Sequence, residues 1–182
     1  MSEKRLHVKN VPFFKMPFRW IFSFMRTLII LIYNVPKAHI KGSTMKQAVI
    51  EATENFCSTI LCEIPHIVEN FGEKFYGSAI ALIENECEHI WYLFFEKETL
   101  NEIAKNLLFE DNLCEDDLDD LLKEIANQII GSAKVILQKQ NPNSNYQLNI
   151  PEFLGNVSSP LPIKLEESLL YNIKNSTFVI GR

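Results

Sequence analysis

One helical stretch carries side chains at a spacing that could do chemistry: Asp120-Leu-Leu-Lys-Glu124-Ile-Ala-Asn127-Gln-Ile-Ile-Gly131. Asp120, Glu124 and Asn127 stand four and three residues apart, so a helix presents them on one face. The apolar positions Leu118, Leu121, Leu122, Ile125 and Ile129 form a neighbouring stripe, which leaves the row beside the core and turned toward water. A carboxylate only accepts hydrogen bonds, whereas a carboxamide accepts through its oxygen and donates through its NH2. Taken alone, a row of acids and amides on a helix is more ordinarily a plain solvated face. Gly131 is different, because a glycine inside a helix costs about 1 kcal/mol against alanine. Its presence argues for close packing or for close approach of something else.

The elements that must position this row can be read from periodicity. Residues 46–62 repeat apolar side chains at three and four and predict a first helix, closed by Pro65. Phe75 to Ile83 and Cys87 to Phe95, with the polar turn Glu84-Asn85-Glu86 between them, predict an antiparallel hairpin. Gly77 and its small neighbours suggest a close backbone approach on the first of these strands. Residues 97–109 predict a short amphipathic helix, with Thr99 as N-cap and Glu102 completing a capping box. An acidic linker, Glu110 to Asp117, leads to the longest helix, about 116–139, which carries the row. After the turn at Asn141–Asn145, three strands are expected, at about 146–150, 160–167 and 170–180. The order α-β-β-α-α-β-β-β describes an α+β domain with long helices packed on an antiparallel sheet.

The chain has 182 residues and a formal net charge of −5, but that average hides two parts. Residues 1–44 hold eight basic residues against one acid, net +7, and residues 45–182 hold ten basic and 22 acidic residues, net −12. A body this acidic argues against nucleic acid as a partner, because phosphate binding needs a basic surface. The four cysteines, Cys57, Cys62, Cys87 and Cys114, have no zinc spacing, and His66 and His89 have no third ligand near them in sequence. Free, reduced cysteines in a cytoplasmic protein and no metal site on the chain are the expectation. The basic head has an uncharged run only from Thr27 to Pro36, too short to span a bilayer. It fits either of two readings. One is an extension lying on an acidic membrane surface. The other is a misassigned start, since Lys41-Gly42 can be encoded by a purine-rich ribosome-binding sequence just ahead of Met45.

The row resembles the signature of the CheC/CheX/FliY family of chemotaxis phosphatases. That signature has Asp or Ser, three residues, Glu, two residues, Asn, and a Pro some two dozen residues later. Asp120, Glu124, Asn127 and Pro151 occupy those places, and Gly131, four after the Asn, also looks like the family's pattern. The hairpin strands FYGSAIALI and IWYLFF and the segment IPEFLG at 150–155 are similar to the family's, so the resemblance spans about 45–182. Twenty-three residues separate Asn127 from Pro151, one more than the family spacing. The first helix has Glu51, Glu54 and Asn55 but no Glu-x-x-Asn, so the chain shows one motif and is more similar to CheX than to CheC or FliY.

The resemblance implies a CheC/CheX-like fold and a homodimer. It implies as substrate the aspartyl phosphate of a phosphorylated CheY-type response regulator, with Mg²⁺ carried by the regulator and no cofactor on this chain. It gives Asn127 the role of orienting the attacking water, Glu124 that of pairing with the regulator's active-site lysine, and Asp120 a part in docking. Gly131 and Pro151 belong to the structural part of the motif. The alternative is a non-catalytic CheX-like module that binds a receiver or a flagellar switch protein.

Overall fold

The structure, a computed structural model, describes residues 44–69, 72–109 and 113–182. The basic head up to residue 43 and the linker residues 110–112 therefore lie outside the described residues. Helix α1 spans Met45–Ile60 and is followed by the two-residue strand β1, His66–Ile67. The hairpin strands are β2, Lys74–Glu84, and β3, Cys87–Phe95. Helices α2, Lys97–Leu108, and α3, Glu115–Gln140, come next. The chain ends with β4, Tyr146–Leu148; β5, Glu152–Ser158; β6, Ser168–Ile173; and β7, Ser176–Gly181.

Among the described residues the seven strands join one antiparallel sheet in the order β1-β6-β7-β3-β2-β4, with β5 also on β2. The expected α+β class and the helices packed on an antiparallel sheet are what the chain forms. Alternation along β2 divides its side chains between two faces. Ser78 looks toward α3 and donates to the Leu122 carbonyl at 3.4 Å. Phe75 looks the other way, into a cluster with Phe94, Val157, Leu170 and Val179. On the helical side Phe95, Phe178 and Tyr171 stack in a row with ring centroids 5.0 Å apart.

The β2–β3 turn is made by Asn85 and Glu86, both at positive φ (46° and 73°), as a tight hairpin loop requires. Gly77 is closely approached by the Phe94 ring of its cross-strand partner rather than by backbone: a Cβ there would come within 2.8 Å of that ring.

Four elements differ from expectation. The strand expected at 160–167 is absent, and the ladder partner of β2 is instead the preceding segment, β5. Leu161, Ile163 and Leu165 do pack inward in alternation, against the Phe75–Phe94 cluster. Pro160 and Pro162 have no N–H to give a ladder, so the segment covers the sheet without joining it. The run at 170–180 is two strands joined at Lys174–Asn175, with Lys174 at φ 55°. Thr99 is not the N-cap of α2. Glu96 holds that place, because β3 ends at Phe95 and the helix starts two residues later. Thr99 falls on the buried stripe, where its hydroxyl meets that of Ser176. Finally, α1 stops at Ile60, before Pro65, with Cys62 at φ 55° turning the chain away.

Candidate functional site

Helix α3 is built to be long and held from beneath. Its first turn carries Glu115, Asp116 and Asp117, which favour the positive end of the helix dipole, and Lys139 stands in its last turn. The Asp117 carboxylate accepts the Cys114 N–H at 3.1 Å, satisfying a backbone donor that the helix leaves open. The buried stripe is Leu118, Leu121, Leu122, Ile125, Ala126, Ile129, Ile130, Ala133 and Leu137. Leu118, Leu121, Leu122, Ile125 and Ile129 are buried as the periodicity predicts, and the stripe continues through Ala133 and Leu137. This stripe seats α3 on β2, β4 and β5 and against α1.

Beside the stripe runs the row. Asp120 is exposed, and Glu124, Asn127 and Gly131 are half-buried. These four residues lie on successive turns of one continuous helix, so their relative placement is rigid. Gln128, which the motif does not include, donates from Nε2 to Glu124 Oε1 at 3.1 Å. The signal for it in the sequence is the i,i+4 spacing. The bond steers one oxygen of the carboxylate. The Asn127 carboxamide makes no side-chain hydrogen bond among the described residues, so it is uncommitted within the chain. Lys123 and Asp119 pair at 2.6 Å on the flank. A solvated pair of this kind adds little to stability.

Gly131 meets the edge strand. A Cβ placed there would touch Leu148 Cδ2 at 3.6 Å, an ordinary contact, and no other described side chain within 4 Å. Strand β4 is held in place by Tyr146, whose hydroxyl donates to Glu84, with Asn141 alongside. Burial, and then the Glu84 carboxylate, push that phenol above its ordinary range, so it stays a donor.

Pro151 is buried at the break between β4 and β5. β4 pairs Leu148 with Leu82 and β5 pairs Glu152 with Ala79, so one extra residue on the edge strand is absorbed at this break. A residue without an N–H suits a break in a ladder. The structure thus brings Asp120, Glu124, Asn127 and Gly131 together on one face. It keeps Pro151 at a break in the edge of the sheet on which that helix packs.

Among the described residues no group of three or more His, Cys, Asp or Glu side chains could hold a metal ion, and no helix is long and apolar enough to cross a membrane. The face offers a rigid carboxylate and carboxamide one turn apart, on an acidic helix.

Residues 78–169 match the family model described as chemotaxis phosphatase CheX. No curated protein sequence matches the chain. Among solved structures, the chain is similar to the chemotaxis protein CheX of Vibrio vulnificus, with 16% identity, a TM-score of 0.64, and 76% of this chain and 95% of that one covered. CheX of Desulfovibrio desulfuricans is similar at 16% identity and a TM-score of 0.58, with 75% and 95% covered. A CheX–CheY–BeF3–Mg²⁺ complex from Borrelia burgdorferi is similar at 16% identity and a TM-score of 0.55, with 76% and 97% covered. At these identities the structures speak for the fold, and the fold agrees with the family match, which takes in α3, its row and the Pro151 break; the chain is a member of the CheX chemotaxis phosphatase family.

Proposed function

We propose that this protein hydrolyses the aspartyl phosphate of a phosphorylated CheY-type response regulator, using Asn127 and Glu124. The observation that carries this reading is the row itself. A half-buried Glu and an uncommitted Asn stand three residues apart on a rigid helix, within the stretch that matches the family model.

An acyl phosphate is a mixed anhydride and already activated. Phosphoryl transfer leaves a protein little covalent work, so positioning and electrostatics dominate. The Asn127 oxygen accepts a hydrogen bond from a water and holds that water in line with phosphorus, and the NH2 group donates nearby. Asn127 is a poor base, which suffices where geometry rather than proton abstraction directs the nucleophile. The Glu124 carboxylate, steadied by Gln128, pairs with the regulator's active-site lysine and so lays α3 across the phosphorylation site. Asp120, one turn earlier and exposed, adds to docking. Mg²⁺ would be held by the regulator and not by this chain, and there it would neutralise charge on the phosphoryl group. The Borrelia neighbour, a CheX bound to CheY with BeF3 and Mg²⁺, supports this arrangement of partner and ion.

The catalytic unit in this reading is residues 45–182, acting in the cytoplasm as a homodimer, with residues 1–44 an extension outside it. Phosphate release from a phosphorylated CheY-type receiver domain is the test. Acceleration over the receiver's own decay is expected. Tight binding of the receiver with no acceleration would replace this reading by a non-catalytic binding module.

A further inference from the structure

Gly131 costs helix stability, and nothing among the described residues requires it. A glycine in a helix interior is less favourable than alanine. Close internal packing would explain the choice, yet a Cβ at 131 would meet only Leu148 Cδ2, at the ordinary distance of 3.6 Å. Apolar side chains are also exposed on the two segments that meet at this glycine. Val135, one turn further along the same face, is 51% exposed, and Ile150, two residues on from Leu148, is 87% exposed. These are two of the six large exposed hydrophobic side chains among the described residues. The face of α3 therefore has two halves. The N-terminal half is polar, with Asp120, Glu124 and Asn127. The C-terminal half presents a bare glycine and an exposed valine.

We infer that the C-terminal half is where the body of the receiver domain comes down, and that Gly131 sets its distance of approach. This rests on the reading of Asn127 as the residue that reaches the phosphoryl group, and it names the surface that fixes the partner there. Four residues of helix are about 6 Å, and eight about 12 Å. A stable protein interface covers about 800 Å² on each partner. A globular domain whose phosphoryl group touches Asn127 cannot leave Gly131 uncovered, and it reaches Val135 as well. Removing the side chain at the point of closest approach lets the partner surface settle against the helix backbone. Val135 and Ile150 then bury apolar surface at its edge. The two halves divide the work: charge and amide align the reacting groups, while the bare patch fixes depth.

The test uses the full chain and a CheY-type receiver domain loaded with beryllofluoride and Mg²⁺, so binding is read without turnover. Gly131→Ala should melt about 3 °C higher, because the methyl has room and alanine is the better helix former. It should bind the loaded receiver about tenfold more weakly, because the same methyl now stands in the interface. In turnover kcat should fall as KM rises, because a partner held off by the methyl leaves Asn127 short of the phosphoryl group. Ile150→Ser, at an exposed position, should fold normally and also bind more weakly. Unchanged affinity in both variants, beside impaired binding in Glu124→Ala, would overturn the inference and leave the proposed function standing. A wild-type chain that neither binds the loaded receiver nor releases phosphate would overturn both.

Discussion

Helices α1 and α3 lie side by side, and each carries glutamate and asparagine on its length. Only α3 makes a candidate site of them. On α1 the residues are Glu51, Glu54 and Asn55, and the next turn carries Ser58 and Thr59. Both hydroxyls fold back on the Asn55 carbonyl, at 3.0 and 2.7 Å. That stretch ends in a closed, self-bonded last turn near Ile60. Helix α3 instead continues past Asn127 and Gly131 to Gln140. Its row thus sits in mid-helix, on rigid backbone, with a bare glycine after it. Residue type is common to the two helices, whereas spacing and the next turn are not, and those decide which helix can meet a partner.

The two asparagines test this contrast most directly. Asn127→Ala should slow receiver dephosphorylation by about a hundredfold, since misplacing the reacting groups costs that much. Asn55→Ala should leave the rate within about twofold, as expected of a surface substitution away from any site. Equal losses in the two variants, read by phosphate release, would show that α3 holds no special position. Glu124→Ala should come next, weakening receiver affinity about tenfold, because an interfacial charge pair loses one member. Calorimetric titration with the beryllofluoride-loaded receiver measures it.

A third difference is buried. On α1 the Cys57 thiol is pushed up to about 12, first by burial and then by the Glu54 charge. Its ordinary value is 9.0. The folded state therefore holds its proton where the unfolded chain gives it up. The stabilising contribution is whole below about pH 9 and is lost as pH rises toward about 12. Tyr171, raised by burial and by Glu54 and Cys57, acts in the same direction. Urea midpoints should fall across this window, and Cys57→Ala should make the fall shallower; an unchanged slope would mean that α1 does not seal this thiol.

The smallest effects are expected at the helix starts. Thr44 Oγ1 accepts the Gln47 N–H at 3.3 Å on α1, and Asp117 accepts the Cys114 N–H at 3.1 Å on α3. Thr44→Ala and Asp117→Ala should each cost about 1 kcal/mol in chemical denaturation. Neither should change kcat, because Thr44 caps α1 and Asp117 lies ten residues before Asn127.

Much of the fold and of the row is legible in the sequence. Periodicity places α1, α2, α3 and the β2–β3 hairpin, because apolar spacing is a local consequence of how a helix or strand turns its side chains. The row at Asp120, Glu124 and Asn127 is legible for the same reason: positions on one helix have a known relation whatever lies around them. Of the C-terminal strands, β4 falls where a strand at 146–150 is expected, but β5 and the division of 170–180 into β6 and β7 are not legible. Leu161, Ile163 and Leu165 alternate as a strand does, yet the ladder goes to Glu152–Ser158, since pairing depends on which backbone donors reach β2. Thr99 has the type and spacing of a cap but is a buried partner of Ser176, because β3 runs almost directly into α2.

The sequence by itself determined the helices, the hairpin, the charge division between head and body, and the motif on α3. All of these depend on neighbours in the chain. Tertiary structure alone decided that Leu148 reaches Gly131 without filling its place, that Ile150 stands exposed two residues on, and that Pro151 is buried at a break in the sheet edge. Those facts depend on contacts between residues far apart in sequence, which no local pattern encodes.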